Sequence, residues 1–181
     1  MSVIDESTGL LVGVRQVISP HCDARPAGAA LELIVLHGIS LPPGEFGGPW
    51  IDGLFAGSPL GDAHPYFDGL RHTRVSAHLL VRRDGVPTQY VPFHERAWHA
   101  GASSWNGRPN CNDFSIGIEL EGTDEVPYSD AQYLTLDALL AALRATYPTL
   151  RAADLVGHSD IAPGRKSDPG PAFDWSRVRG R

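Results

Sequence analysis

Leu31-Glu-Leu-Ile-Val-Leu-His37, LELIVLH, is an almost unbroken apolar run that stops at a histidine. Such a run reads as a strand buried on both faces, in the interior of a sheet. A second run, Asn112–Gly122 (NDFSIGIELEG), alternates instead. Ile116, Ile118 and Leu120 fall on one face, and Gly117, Glu119 and Glu121 on the other. These two segments are the frame of a sheet, and the remaining elements are placed against them.

Residues 10–18 (LLVGVRQVI) are expected to add an edge strand. VSAHLLVRRDGVPTQYVP holds two extended runs around Asp84-Gly85, a dipeptide suited to a two-residue hairpin loop. Ser129-Asp-Ala-Gln132 has the form of a capping box. Tyr133, Leu136, Leu140, Leu143 and Tyr147 then recur at helical spacing, which predicts a helix over 130–146, ended by Pro148. A short strand is expected at 154–158, and a short helix with a tail over 177–181 closes the chain. The order of elements predicts one α/β domain over 1–181, α+β-like, with a mixed sheet crossed by a long helix. Between Gly38 and Thr73 the chain is rich in Pro, Gly and aromatic residues. This stretch is expected to be a packed, flap-like insertion with one short helix near Trp50, burying Ile51, Leu54 and Phe55.

The 181 residues are 42% hydrophobic and 20% charged, which suits a globular domain with its own core. A net charge of −6 argues against nucleic acid or an anionic membrane as partner. An anionic ligand would need a local cluster of arginine or lysine. Two cysteines, Cys22 and Cys111, are too few for a disulfide framework and are expected to be free thiols. No leader-like start and no apolar run of spanning length is read, so a cytoplasmic protein is expected.

Two histidines stand at predicted strand ends, His37 and His158, and Asp168 follows on the stiffened loop VGHSDIAPGRKSDPG (156–170). Two neutral imidazoles and a carboxylate are a usual ligand set for catalytic zinc. The alternative is a hydrogen-bonded core histidine and a histidine capping a turn. Glu119 is a candidate general base, because a carboxylate on a central strand is costly to bury without a partner. Glu121 competes with it, and either could face solvent. Lys166, two residues before Asp168, is placed to stabilise developing negative charge if the segment is extended. His78 is a weaker candidate for the same mouth. His99, after Trp98 in AWHAG, suits a substrate-contacting loop. There is no serine elbow and no phosphate-binding glycine motif.

HGISLPPGEFGGPWID, VSAHLLVRRDG, RAWHAG, CNDFSIGIELEGTD, YSDAQY and GHSDIAPGRKSDPGPAFDW together resemble the AmpD-type cytosolic N-acetyl-anhydromuramyl-L-alanine amidases. These belong to the zinc amidases that include phage lysozyme-type amidases and peptidoglycan recognition proteins. The likeness spans about residues 10–177. It implies a mixed sheet flanked by helices with Zn2+ at one edge, held by His37, His158 and Asp168. It implies Glu119 as the catalytic carboxylate and Lys166 as the catalytic cation. Arg74 and Arg165 match carboxylate-binding arginines, while Trp98 and His99 face the 38–73 flap across a sugar pocket. The implied substrate is an anhydromuropeptide, cut between the lactyl group and L-alanine during recycling of wall fragments. In bacteria with an inducible β-lactamase, that reaction also tunes induction. A monomer is expected. Gly38 departs from the pattern, because relatives usually carry Asn there; Ser159 replaces a frequent Cys. A muropeptide-binding module without cleavage, and an amidase of intact wall, are the competing readings.

Overall fold

The computed structural model describes residues 3–58, 60–150 and 155–179. Its main sheet has six strands: β1 (Arg15–Gln16), β2 (Leu33–Ile39), β3 (Leu79–Val81), β4 (Pro87–Gln89), β5 (Ser115–Glu121) and β6 (Leu155–Gly157). Their spatial order is β6-β2-β5-β3-β4-β1. Every pairing is parallel except the β3–β4 hairpin, so the sheet is mixed. β2 has a partner on each side, and Leu33 to His37 are all buried, as an apolar run of this kind requires.

One face of the sheet carries Ile34, Leu36, Ile116, Ile118 and Leu120. Helix α2 (Asp130–Thr146) covers it with Tyr133, Leu136, Leu139, Leu140 and Leu143. Truncating one such side chain, as in Leu136→Ala, would cost about 2–5 kcal/mol. The capping box forms as expected: Gln132 N–H donates to Ser129 Oγ at 3.1 Å, and Ser129 N–H to Gln132 Oε1 at 3.0 Å. Gln132 is also fully buried, and its amide donates to the carbonyls of Val81 and Glu121. The helix start is thereby tied to β3 and β5. The opposite face carries Leu33, Val35 and Val156 beside the polar residues of the site.

Several expectations need adjustment. The segment 10–18 is not one strand: Leu10–Leu11 pairs with Ile4–Asp5, and only Arg15–Gln16 joins the main sheet. Gly13, at φ +74°, makes the break. The hairpin turn is wider than two residues, since Arg82 N–H donates to the Val86 carbonyl and Gly85 N–H to that of Arg82. Gly85 at positive φ suits this longer turn. His37 lies inside β2 rather than after it, and His158 opens a short helix, α3 (His158–Ile161). Asp154, expected to start the last strand, is outside the described residues. The expected tail begins within helix α4 (Ser176–Arg179). The 38–73 segment holds helix α1 (Trp50–Phe55), which buries Ile51, Leu54 and Phe55 as expected, and a 3-10 turn at Pro65–Leu70.

Candidate metal centre and active site

His37, Glu119 and His158 come together because three neighbouring parallel strands end at one edge. Glu119 pairs in register with His37 across β5 and β2, and Gly157, before His158, pairs with Leu36. The loop after α3 then turns back. Ser159 N–H donates to the Asp168 carbonyl at 3.0 Å, and Arg165 and Lys166 N–H both donate to the Ala162 carbonyl. The charged loop 158–170 is folded on itself and carries Asp168 to the two histidines.

His37 Nδ1 lies 2.9 Å from His158 Nδ1 and 3.2 Å from Asp168 Oδ2. His158 Nδ1 lies 3.1 Å from the same oxygen. Ligands at about 2.0–2.2 Å around a tetrahedral zinc stand roughly 3.3–3.6 Å apart, so this triangle is slightly tight for such an ion. Its donor chemistry calls for a cation. His158 Nε2 is 3.2 Å from the Ala100 carbonyl, which only accepts. Arg165 Nη2, which only donates, is farther from Nε2 at 3.4 Å, so the shorter contact favours the proton on Nε2, and Nδ1 then turns a lone pair towards a carboxylate oxygen. Two acceptors facing each other repel, and a divalent ion shared with His37 removes that repulsion. His37 is buried, which pushes its pKa down to about 4, so the ring is neutral and able to coordinate.

Glu119 is the other unusual group. It is buried, and its Oε2 has no hydrogen-bond partner. Burial foremost, then the nearby Asp168 charge, raises its pKa well above the carboxylate range, with Lys166 opposing. Glu121 is different: its carboxylate accepts from Gly47 N–H at 2.7 Å, from Arg82 at 3.1 Å and from Arg83 N–H at 3.2 Å. It anchors the start of the 38–73 segment to the sheet.

A cavity of about 590 Å³ opens over these groups, lined by His37, Gly38, Glu119, Arg165, Lys166 and Asp168. Lys166 and Arg165 are exposed. Arg165 Nη2 donates to the carbonyls of Ala100 (2.6 Å) and Ala102 (2.7 Å). Arg74 and Trp98 are elsewhere. They line an adjoining cavity of about 630 Å³, which shares Leu54 and Leu70 with the first. Trp98 stacks on His21 there and donates to Asp23. His99, assigned from sequence to the substrate, also lines the first cavity; it is largely buried beside His37, with hydrogen-bond contacts at both ring nitrogens. His78 does not reach the mouth: it is fully buried and accepts from Gly117 N–H at 3.0 Å.

Sequence reasoning missed Tyr128 and Ser115. Tyr128 OH donates to the Pro169 carbonyl at 2.9 Å, beside Asp168. A Cβ on Gly38 would fall 2.4 Å from that hydroxyl, so the missing side chain makes room for it. No sequence signal distinguished either residue.

Residues 27–171 match the N-acetylmuramoyl-L-alanine amidase family. The chain belongs to this family. It is 61% identical over 171 residues to 1,6-anhydro-N-acetylmuramyl-L-alanine amidase AmpD of Escherichia coli (strain K12), covering 94% of this chain and 93% of that one. A crystal structure of a selenomethionine AmpD derivative superposes with a TM-score of 0.94 at 60% identity, over 98% of each chain. AmpDh3 from Pseudomonas aeruginosa, solved in complex with an anhydromuramic pentapeptide, is 32% identical with a TM-score of 0.61, over 86% of this chain and 61% of that one. The mixed sheet and its flanking helices are thus the family's fold.

Proposed function

We propose that the chain is a zinc-dependent hydrolase of the amide between anhydro-N-acetylmuramic acid and the L-alanine of a stem peptide. The observation that carries this reading is the triangle of His37, His158 and Asp168 ligand atoms, 2.9–3.2 Å on a side, next to the unpartnered Glu119 carboxylate. Its support from likeness is the AmpD relative at 61% identity and the AmpDh3 neighbour solved with an anhydromuramic pentapeptide.

When bound, zinc supplies Lewis acidity and lowers the pKa of water towards neutrality. Glu119 takes a proton from the attacking water and returns it to the alanine nitrogen as the amide breaks. The Lys166 ammonium stabilises the negative charge that develops on the amide oxygen. Arg165, at the cavity rim, attracts a carboxylate of the peptide. Arg74 and Trp98, in the adjoining cavity, contact parts of the substrate remote from the reacting amide. Gly38 leaves room beside the metal site for the Tyr128 hydroxyl. The 38–73 segment acts as a flap of a single amidase domain. The chain works as a cytoplasmic monomer that recycles wall fragments, and through their level it affects β-lactamase induction. Among the described residues, no helix is long and apolar enough to cross a membrane.

The test is to incubate the purified chain with anhydromuropeptide and with insoluble wall, with and without chelator. Mass spectrometry then follows the released peptide, and metal analysis accompanies it. Chelator-sensitive release from the fragment, with zinc near one per chain, is expected. Binding without release points to a recognition module. Release from wall with little from the fragment points to a wall amidase. Either result overturns the proposal.

A further inference from the structure

Behind His37 runs a line of hydrogen bonds whose direction can be read from its far end. Ser115 Oγ lies 2.6 Å from the Cys111 carbonyl oxygen. A carbonyl only accepts, so the one hydroxyl proton of Ser115 is committed to it. His99 Nε2 lies 3.1 Å from Ser115 Oγ, which can now only accept; the His99 proton is on Nε2. His99 Nδ1 is left with a lone pair, and it lies 2.9 Å from His37 Nε2. His37 must therefore donate from Nε2, which leaves its Nδ1 free to face His158 and Asp168. All three side chains are buried, so water does not interrupt the sequence.

We propose that His99 and Ser115 are positioning residues that hold His37 in the tautomer protonated at Nε2, the polarity being set by the Cys111 main-chain carbonyl. The inference rests on the reading that His37 holds the metal. A ligating histidine ordinarily leans on a carboxylate, a carbonyl or water. Here the partner is a second imidazole, which has two tautomers of its own, so a further residue is needed to choose between them; Ser115 does this. The arrangement also accounts for Gly117. A Cβ there would lie 2.4 Å from His99 Cγ, with two more ring atoms at 2.6 Å. A glycine inside a strand marks a close approach, and at this one the approaching group is the His99 ring.

The test uses the full chain, first free of metal. Nitrogen-15 NMR of the imidazoles reports which nitrogen of His37 carries the proton, and competition with a chromophoric chelator reports zinc affinity. Wild type is expected to show His37 protonated at Nε2. His99→Leu and Ser115→Ala are expected to give mixed tautomers and to lower zinc affinity about 10–100-fold, the usual range for such partners. His99→Asn, whose amide oxygen can accept where Nδ1 did, is expected to restore the Nε2-H form and most of the affinity. Should His99→Leu not fold, Ser115→Ala removes a single oxygen and gives the same reading. A wild-type His37 protonated at Nδ1, or folded variants with unchanged tautomer and affinity, would overturn the proposal. A wild type that binds no zinc would instead defeat the metal reading, while the nitrogen shifts of the metal-free chain still decide the tautomer.

Discussion

Glu119 sits directly opposite His37, in register across the parallel strands β5 and β2. Strands in a sheet are about 4.8 Å apart, so a carboxylate and an imidazole on one face at this spacing are neighbours held by backbone hydrogen bonds. Neither depends on a loop for its position. That rigidity suits the role of general base proposed for Glu119, which requires a fixed distance to the water it would deprotonate.

Exchanging the two carboxylates separates their roles. Asp168→Ala is expected to lose zinc and activity together. Glu119→Gln should retain zinc while kcat falls by about 10²–10⁴-fold, the range of a lost general base. Metal analysis beside a rate assay checks both. A Glu119→Gln variant turning over at the wild-type rate would remove Glu119 from the mechanism.

Gly38→Ala forces a methyl group against the Tyr128 hydroxyl, which holds the Pro169 carbonyl next to Asp168. Overpacking of this kind costs about 1–3 kcal/mol. The expected result is a lower Tm with weaker zinc binding, relieved in part by Tyr128→Phe in the same chain. Thermal melts and zinc titration of the single and double variants give the answer, and additive losses would count against the steric account.

His78 makes the metal-free chain sensitive to acid. Burial foremost, then the Arg25 charge, pushes its pKa down to about 3 from an ordinary 6.5. Above pH 6.5 both folded and unfolded chains hold it neutral, and its contribution is fully present. Between 6.5 and 3 the unfolded chain takes up a proton that the folded chain refuses, so stability falls by up to about 1.4 kcal/mol per pH unit. His78→Asn, which can still accept from Gly117 N–H, should flatten this slope. Denaturant midpoints measured from pH 7 to pH 4 report it.

Arg165 shares the Ala100 carbonyl with His158 Nε2. An arginine serving only the substrate would change KM alone. Arg165→Ala is expected to raise KM for the peptide and also to weaken zinc binding, because the carbonyl that orients His158 loses its second donor. Unchanged zinc affinity would confine the residue to the substrate.

The frame was legible where periodicity was strong. The run at 31–37 and the alternation at 116–121 each specify a buried strand, and the Ser129–Gln132 pair specifies a helix start. His37, His158 and Asp168 were legible as a donor set, and the structure brings all three together. What failed was local. The break at Gly13 depends on backbone torsion that an apolar pattern does not report. His99 read as a loop residue facing substrate; it lines the cavity over His37, and its ring also packs over Gly117 and meets His37 and Ser115, contacts that spacing along the chain does not report. Arg74 and Trp98 line a cavity together with residues of the 38–73 segment, beside the one over His37, with Leu54 and Leu70 lining both. Side-chain destinations of this kind follow from the packed sheet, not from spacing along the chain.

The three candidate ligands His37, His158 and Asp168 are far apart in the polypeptide, the second 121 and the third 131 positions after the first. As the chain leaves the ribosome, the strand bearing His37 emerges long before either of its companions exists. A nascent chain shorter than Asp168 cannot present the complete set. If the three groups hold a metal as proposed, a nascent chain can take it up at this site only after Asp168 has emerged.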